Sequence, residues 1–420
     1  MRMLHAKPVI SRSGRKVLVA TAATVLVAAG CGSSSHTSSP TTTSGGGGAK
    51  SYTLGLLTDL TGPAASGNKS SVQGAQAGIA WAKSQGYNFT LDTGDTQTSP
   101  AQALTAGKSL VEQDHVFAVI ANSSLTFGAA PYFTQNNIPV VGVDEDANEW
   151  ATSQNMFSVT GVIYTNLVST VYGQFFKLEG ATRVGVLGYS ISPSSSEAAK
   201  GAAVSAQVAG LQTPYINGAF PFGSTNVAPV ALAMKAAGIN GFTATTDPNT
   251  AFALVTALRQ AGVNLKVPVF ADGYGGDLAQ AGPAAAQVAQ NVYFSLAYEP
   301  VEMNTPATRQ FVTALRSVGV QGDPTFAEYN AYLSVVMIVQ GLKAAGANPT
   351  QASFTAALSA IHAWDGAGLL GSHPIDINNR SHQVDNCQYF TKYVGTAFQL
   401  VRGASPLCGT VVPGKTVSPS

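Results

Sequence analysis

The sequence predicts an α/β protein built on two parallel sheets. From residue 52 onward, short apolar runs alternate with longer Ala-rich segments of helical period. The runs number enough for two sheets, one before and one after about residue 165. Several helical segments end at a Gly suited to a helix C-terminus: Gly86, Gly180, Gly210, Gly238 and Gly262. Strands alternating with helices imply βαβ units whose parallel sheets are covered on both faces.

The first set of expected strands is 52–57, 88–92, 117–121 and 139–143, and the second is 183–187, 241–245, 267–271 and 292–297. Between them the periodicity predicts helices over 71–85, 100–113, 127–136, 166–178, 195–209, 227–237 and 250–261. A helical pair follows at 326–345 and 351–361, then a β-rich stretch over 374–402. The helix at 326–345 contains LSVVMIV, but Gln340 and Lys343 cut the apolar run short of a membrane span.

Composition agrees with a large core. Of the 420 residues, 45% are hydrophobic and only 10% are charged, against about a quarter charged in ordinary domains. Arg2, Lys7, Arg12, Arg15 and Lys16 all lie in the first 30 positions, without an acid. The rest of the chain is therefore net acidic despite the overall charge of +1. It lacks the basic surface that would neutralise phosphates, so nucleic-acid binding is not expected.

The amino terminus reads as an export signal. A basic stretch over 1–16 precedes the apolar run VLVATAATVLVAAG at 17–30, short for a spanning helix and suited to a signal peptide. Ala28, Ala29 and Gly30 then precede Cys31, which resembles the lipobox of bacterial lipoproteins, with Ala28 where Leu is usual. That resemblance implies acylation of Cys31 and anchoring to the outer face of the cytoplasmic membrane. Residues 31–50, rich in Ser, Thr and Gly, form a flexible tether. Outside the cytoplasm the remaining pair, Cys387 and Cys408, tends to be oxidised. Closing a loop of about 20 residues would add roughly 3 kcal/mol. The alternative is two buried free thiols.

In parallel sheets, ligands bind beyond the carboxyl ends of strands. Those positions carry Asp59 after the first strand; Asn122, Ser123 and Ser124 at the third; and Asp144, Glu145 and Asp146 after the fourth. In the second set they carry Tyr189, then Asp247, then Asp272 and Tyr274. None is Lys or Arg, which argues against phosphates and di- or tricarboxylates as ligands.

The segments LGLLTDLTGPAASGNKSSVQGAQ, DTGDTQTSPAQA, VIANSSLTFGAAPYFTQNNIPVVG, TTDPNTAFALVTALRQAG and EYNAYLSVVMIVQGLKAAG together resemble the periplasmic branched-chain amino-acid (Leu/Ile/Val) binding proteins, the substrate-binding components of ABC importers. The resemblance implies the type I fold, two Rossmann-like lobes joined by three crossover strands. Lobe one would comprise 52–165 plus 299–370 and lobe two 166–298 plus 371–405, with a C-terminal tail at 406–420. It implies that Ser123, Ser124, Asp144 and Glu145, with Asp146, hold an amino acid's carboxylate and backbone, with Asp59 and Asn122 beside them. Asp272 and Tyr274, with Tyr189 and Asp247 as neighbours, would meet its ammonium from lobe two. The acidic turn at 144–146 would repel an acidic ligand and favour one with an amine.

Each signal has a plainer reading. Ser123 and Ser124 could cap the following helix, the 144–146 acids could be a solvated run, and Trp81 and Trp364 read as packing residues. GTVVPGKT at 409–416 matches the phosphate-binding loop formally, yet too little chain follows for the helix that loop requires. Residues 188–192 read GYSIS, without the second Gly of a nucleophile elbow. No HExxH and no CxxC spacing occurs. The expected function is therefore binding: a lipid-anchored, monomeric receptor without enzyme activity, cofactor or metal, which delivers an amino acid, amide or amine to an ABC permease. The alternatives are a sensory receptor domain reporting to a signalling partner and an exported α/β amidase-type hydrolase.

Overall fold

Five parallel strands form the first sheet: β1 (Lys50–Thr58), β2 (Tyr87–Asp95), β3 (Ala118–Asn122), β4 (Val140–Gly142) and β5 (Met156–Ser158), in the order β2-β1-β3-β4-β5. Central β3 is buried along its whole length, as a parallel strand covered on both faces requires. This is a computed structural model of the chain, and it describes residues 50–146, 148–378 and 386–419. The export signal, the tether and Cys31 lie outside the described residues.

The chain continues through β6 (Leu167–Ser169), β7 (Arg183–Tyr189), β8 (Gln212–Phe220), β9 (Gly241–Thr245), β10 (Val267–Phe270) and β11 (Tyr293–Leu296). It ends in β12 (Asn386–Val394), β13 (Ala397–Leu400), β14 (Leu407–Gly409) and β15 (Val411–Thr416). The second sheet runs β13-β12-β11-β10-β9-β7-β8. It is parallel from β8 to β11; β12 and β13 are antiparallel additions. β14 pairs with β12, and β15 with β6.

The long helix Phe326–Ala345 starts at a capping box: Thr325 Oγ1 accepts from Glu328 N at 3.0 Å, and Glu328 Oε2 accepts from Thr325 N at 2.9 Å. It is apolar nearly all round and almost wholly buried, as such helices are. It returns the chain to the first lobe by packing on the helix Ser71–Ser84. Gly74 makes that approach possible, because a Cβ there would stand 2.4 Å from Glu328 O and 2.6 Å from Glu328 Cα. Among the described residues no helix is long and apolar enough to cross a membrane. Trp364 is fully buried and donates to Val159 O at 2.8 Å, while Trp81 packs edge-on to Tyr332.

Differences from the expected elements have physical causes. β8 is an edge strand interrupted by Pro214 and half exposed along its length, so it lacks an apolar run. The expected helix at 166–178 begins with β6 and becomes helical only over Val171–Leu178. The helix Pro306–Ser317 follows a Thr305 cap and carries Pro at its start, a legible signal that the expected elements above omit. The stretch expected as a tail carries β14 and β15, so GTVVPGKT is mostly strand. Cys387 and Cys408 are opposite partners on β12 and β14 and are joined by a disulfide.

Candidate ligand-binding cleft

The carboxyl ends of β3 and β4 in one sheet, and of β7, β9, β10 and β11 in the other, open onto one cavity of about 430 Å³. The strand-end rule therefore applies to both sheets at once. Hydrogen bonds close the lobes over it. Ser66 Oγ of lobe one donates to Asp247 Oδ1 of lobe two at 3.2 Å. Ser192 Oγ and Ser194 N of lobe two donate to Asp146 O at 3.1 and 3.2 Å.

Six of the expected residues line the cavity: Ser124, Asp144, Glu145, Tyr189, Asp247 and Asp272. Asp144 is 7% exposed. Its Oδ2 accepts from Ile163 N at 3.3 Å and its Oδ1 has no partner. Glu145 Oε2 accepts from Asn68 Nδ2 at 3.3 Å and Ser124 Oγ at 3.5 Å, while its buried Oε1 has none. Asp247 is already committed. It caps the helix Pro248–Gln260 through Thr250 N, and accepts from the Tyr189 hydroxyl as well as from Ser66. Asp272 forms no hydrogen bond through its carboxylate among the described residues, and it is half-buried against the cavity it lines.

Burial dominates the electrostatics. Desolvation, then the Asp146 charge, pushes the Asp144 carboxyl well above the usual range. Desolvation, then the charges of Asp272 and Asp59, does the same for Glu145. Desolvation and Asp247 raise Asp272 to about 7. In each case the carboxylate lacks a positive partner that would hold its proton affinity down.

Five expected residues do not reach the cavity, among them Asp146, whose carboxylate accepts from Phe127 N at 2.7 Å and Trp150 Nε1 at 3.2 Å. Asp59 is fully buried and accepts from Ser123 Oγ at 2.7 Å, Ser124 N and Asn68 Nδ2 at 2.9 Å each, and the Thr96 hydroxyl. It shapes the turn after β3 from behind. Ser123 Oγ in turn accepts from Leu125 N at 3.1 Å. Asn122 Nδ2 donates to Ser71 Oγ at 2.6 Å and to Ala327 O at 3.2 Å, joining β3 to two helices. Tyr274 turns into the core, where it donates to Glu302 Oε2 at 2.6 Å and packs on Phe398. The preceding Gly273, at φ +93°, reverses the chain and carries Tyr274 away from the cleft.

Sequence reasoning missed Asn68, Tyr172, Ser194 and the apolar wall of Val143, Val162, Phe222 and Phe326, whereas Thr246, directly after β9, sits at a strand end as the rule expects. Ser194 lies in the Ser-rich start of the helix Pro193–Val208, just past the end of β7, so the strand-end rule applied one turn further would have found it. Val143 directly follows β4, and the others come from loops and helix faces without a periodic signal. His373, Cys387 and Cys408 hold possible metal-ligand atoms within 4.8 Å of one another. The two sulfurs are bonded together, so no thiolate is free for a metal.

No curated protein sequence matches the chain. Among solved structures it is similar to a possible leucine/isoleucine/valine-binding protein from Rhodopirellula baltica SH 1, at 16% identity over 87% of this chain and 98% of that one, TM-score 0.68. It is similar to the branched-chain amino-acid transporter substrate-binding protein LivJ from Streptococcus pneumoniae in complex with isoleucine, at 19% identity over 86% and 99%, TM-score 0.68. It is also similar to an ABC-transporter solute-binding protein from R. palustris in complex with 4-hydroxybenzoate, at 17% identity over 88% and 98%, TM-score 0.67. These likenesses establish the two-lobed fold. The family profile described as periplasmic binding protein matches residues 51–397. A profile spanning most of the sequence, on a chain whose two sheets meet at one strand-end cavity, shows that this protein belongs to the periplasmic binding protein family and has its type I architecture.

Proposed function

We propose that this protein is the substrate-binding component of an ABC importer, held outside the cytoplasmic membrane by a lipid on Cys31. It captures a small solute with N–H donors, of the amino-acid, amide or amine class, favouring those whose nitrogen is protonated, and presents it to the permease. The observation that carries this reading is the cavity wall: Asp144 and Glu145 from lobe one offer buried carboxylate oxygens without a partner, Asp272 from lobe two lines the same cavity, and among the described residues no Lys or Arg does. A cation contacting both walls favours the closed form over the open one, which is ligand-driven hinge closure.

A thermal-shift screen of the purified protein at pH 7.5 tests it. Ligand at 100 times its dissociation constant adds about 2.7 kcal/mol to stability. Stabilisation by nitrogen cations or zwitterions, and none by benzoate or dicarboxylates, is the expected pattern. Stabilisation by the anions alone refutes the reading. Cys31→Ser is expected to release the protein from the membrane fraction, and retention there would refute the anchor.

A further inference from the structure

Resting on that reading of the cleft, the geometry points to a ligand that is a carboxylate-free organic amine, a monoamine or diamine, rather than an amino acid. An amino acid needs a seat for its α-carboxylate, and the turn after β3 was one of the two expected, with the acidic turn after β4. Two backbone donors of the β3 turn are already used internally. Ser124 N donates to Asp59 Oδ2 at 2.9 Å, and Leu125 N donates to Ser123 Oγ at 3.1 Å. The carboxylate bound to that turn is the chain's own Asp59, not a ligand's.

Of the buried side-chain atoms left over on the wall, the charged ones are acceptors of the wrong sign for an anion. Asp144 Oδ1 and Glu145 Oε1 are buried without partners. Asp272 faces them from the other lobe, close enough for its charge to be the largest carboxylate influence on Glu145. Ser194 and Thr246, 5% and 4% exposed, line the same cavity with unpartnered hydroxyl oxygens. A hydroxyl serves either charge, so the carboxylates decide. Among the described lining residues His373 is the only basic side chain, and it sits beside the disulfide, 4.0 Å from Cys408 Sγ. A ligand carboxylate would enter a site holding three unpaired acids and no guanidinium or ammonium. An amine would supply the missing charge, and its N–H groups would reach Asp144 Oδ1, Glu145 Oε1 and the two hydroxyls.

Matched pairs that differ only by the α-carboxylate isolate this point: cadaverine against lysine, agmatine against arginine, and isoamylamine against leucine. Each is titrated calorimetrically into the purified protein at pH 8, after bound solute has been removed by unfolding and dialysis. At least one amine is expected to bind at least tenfold more tightly than its parent amino acid. Asp272→Asn is expected to weaken that amine at least tenfold while the variant keeps a cooperative unfolding transition. An amino acid that binds as tightly as its amine, or more tightly, overturns the inference and leaves the protonated-nitrogen reading standing. If no amine and no amino acid binds, both fall. If Asp272→Asn binds the amine unchanged, the assignment of the cation to this wall is overturned.

Discussion

Replacing Asp272 with Asn removes one carboxylate from the lobe-two wall without changing the size of the side chain. In the folded protein this carboxyl is raised from its ordinary 3.8 to about 7, by burial first and by the Asp247 charge second. The unfolded chain releases the proton near 3.8. Between those values the native state holds more protons, so stability falls as pH rises. The contribution is fully present below the unfolded value and is lost as pH climbs through about 7. A tenfold change in proton affinity corresponds to about 1.4 kcal/mol, so ionising Asp272 costs the folded state up to about 4 kcal/mol. Urea unfolding of the ligand-free wild type and Asp272→Asn at pH 4, 6 and 8 measures this directly. The variant is expected to be more stable by about 2–4 kcal/mol at pH 8, with the advantage vanishing at pH 4. Buried acids that do not feel Asp272 cancel in the difference, whereas Glu145 and Asp277, which its charge raises, ionise more easily in the variant and add to its advantage at high pH. An advantage that does not change with pH, or a variant less stable at pH 8, would refute the reasoning.

Two further substitutions test the scaffold. Gly74→Ala places a Cβ against the Glu328 backbone, which cannot move as a side chain can; a loss of about 1–3 kcal/mol is expected from forced separation of the two helices, read by denaturant midpoint. Tyr274→Phe removes the hydrogen bond to Glu302 and is expected to cost about 1 kcal/mol of stability with no change in ligand affinity by calorimetry; a tenfold change in affinity would return Tyr274 to the site.

The parts of the site that could be read in the sequence are those where the backbone decides position. Once strands and helices alternate, strand ends converge, and that geometry brings Ser124, Asp144, Glu145, Tyr189, Asp247 and Asp272 to one cavity. Side-chain direction was not legible. Asp59 and Ser124 both follow strand ends, yet Asp59 points behind the turn and binds its donors while Ser124 lines the cleft. Tyr274 is two residues from Asp272, but the positive φ of Gly273 separates them. The edge strand β8 and the three-residue strands β5 and β6 were invisible because they carry no apolar run long enough to show a period.

The acids at the two walls also bear on how closure depends on the ligand. The cross-lobe bonds from Ser66, Ser192 and Ser194 favour the closed form, while Glu145 of one lobe and Asp272 of the other oppose it when both are ionised. On the proposed hinge closure, relieving that repulsion would favour the closed form, and either a bound cation or a proton would relieve it. Glu145 and Asp272 are both raised by burial, so acidification neutralises them before the exposed acids. Small-angle scattering of the ligand-free protein is expected to show a smaller radius of gyration at pH 5 than at pH 8, with Asp272→Asn already compact at pH 8. A radius that is the same at both pH values, in a protein that still contracts on binding ligand, would mean that the carboxylates do not hold the empty lobes apart.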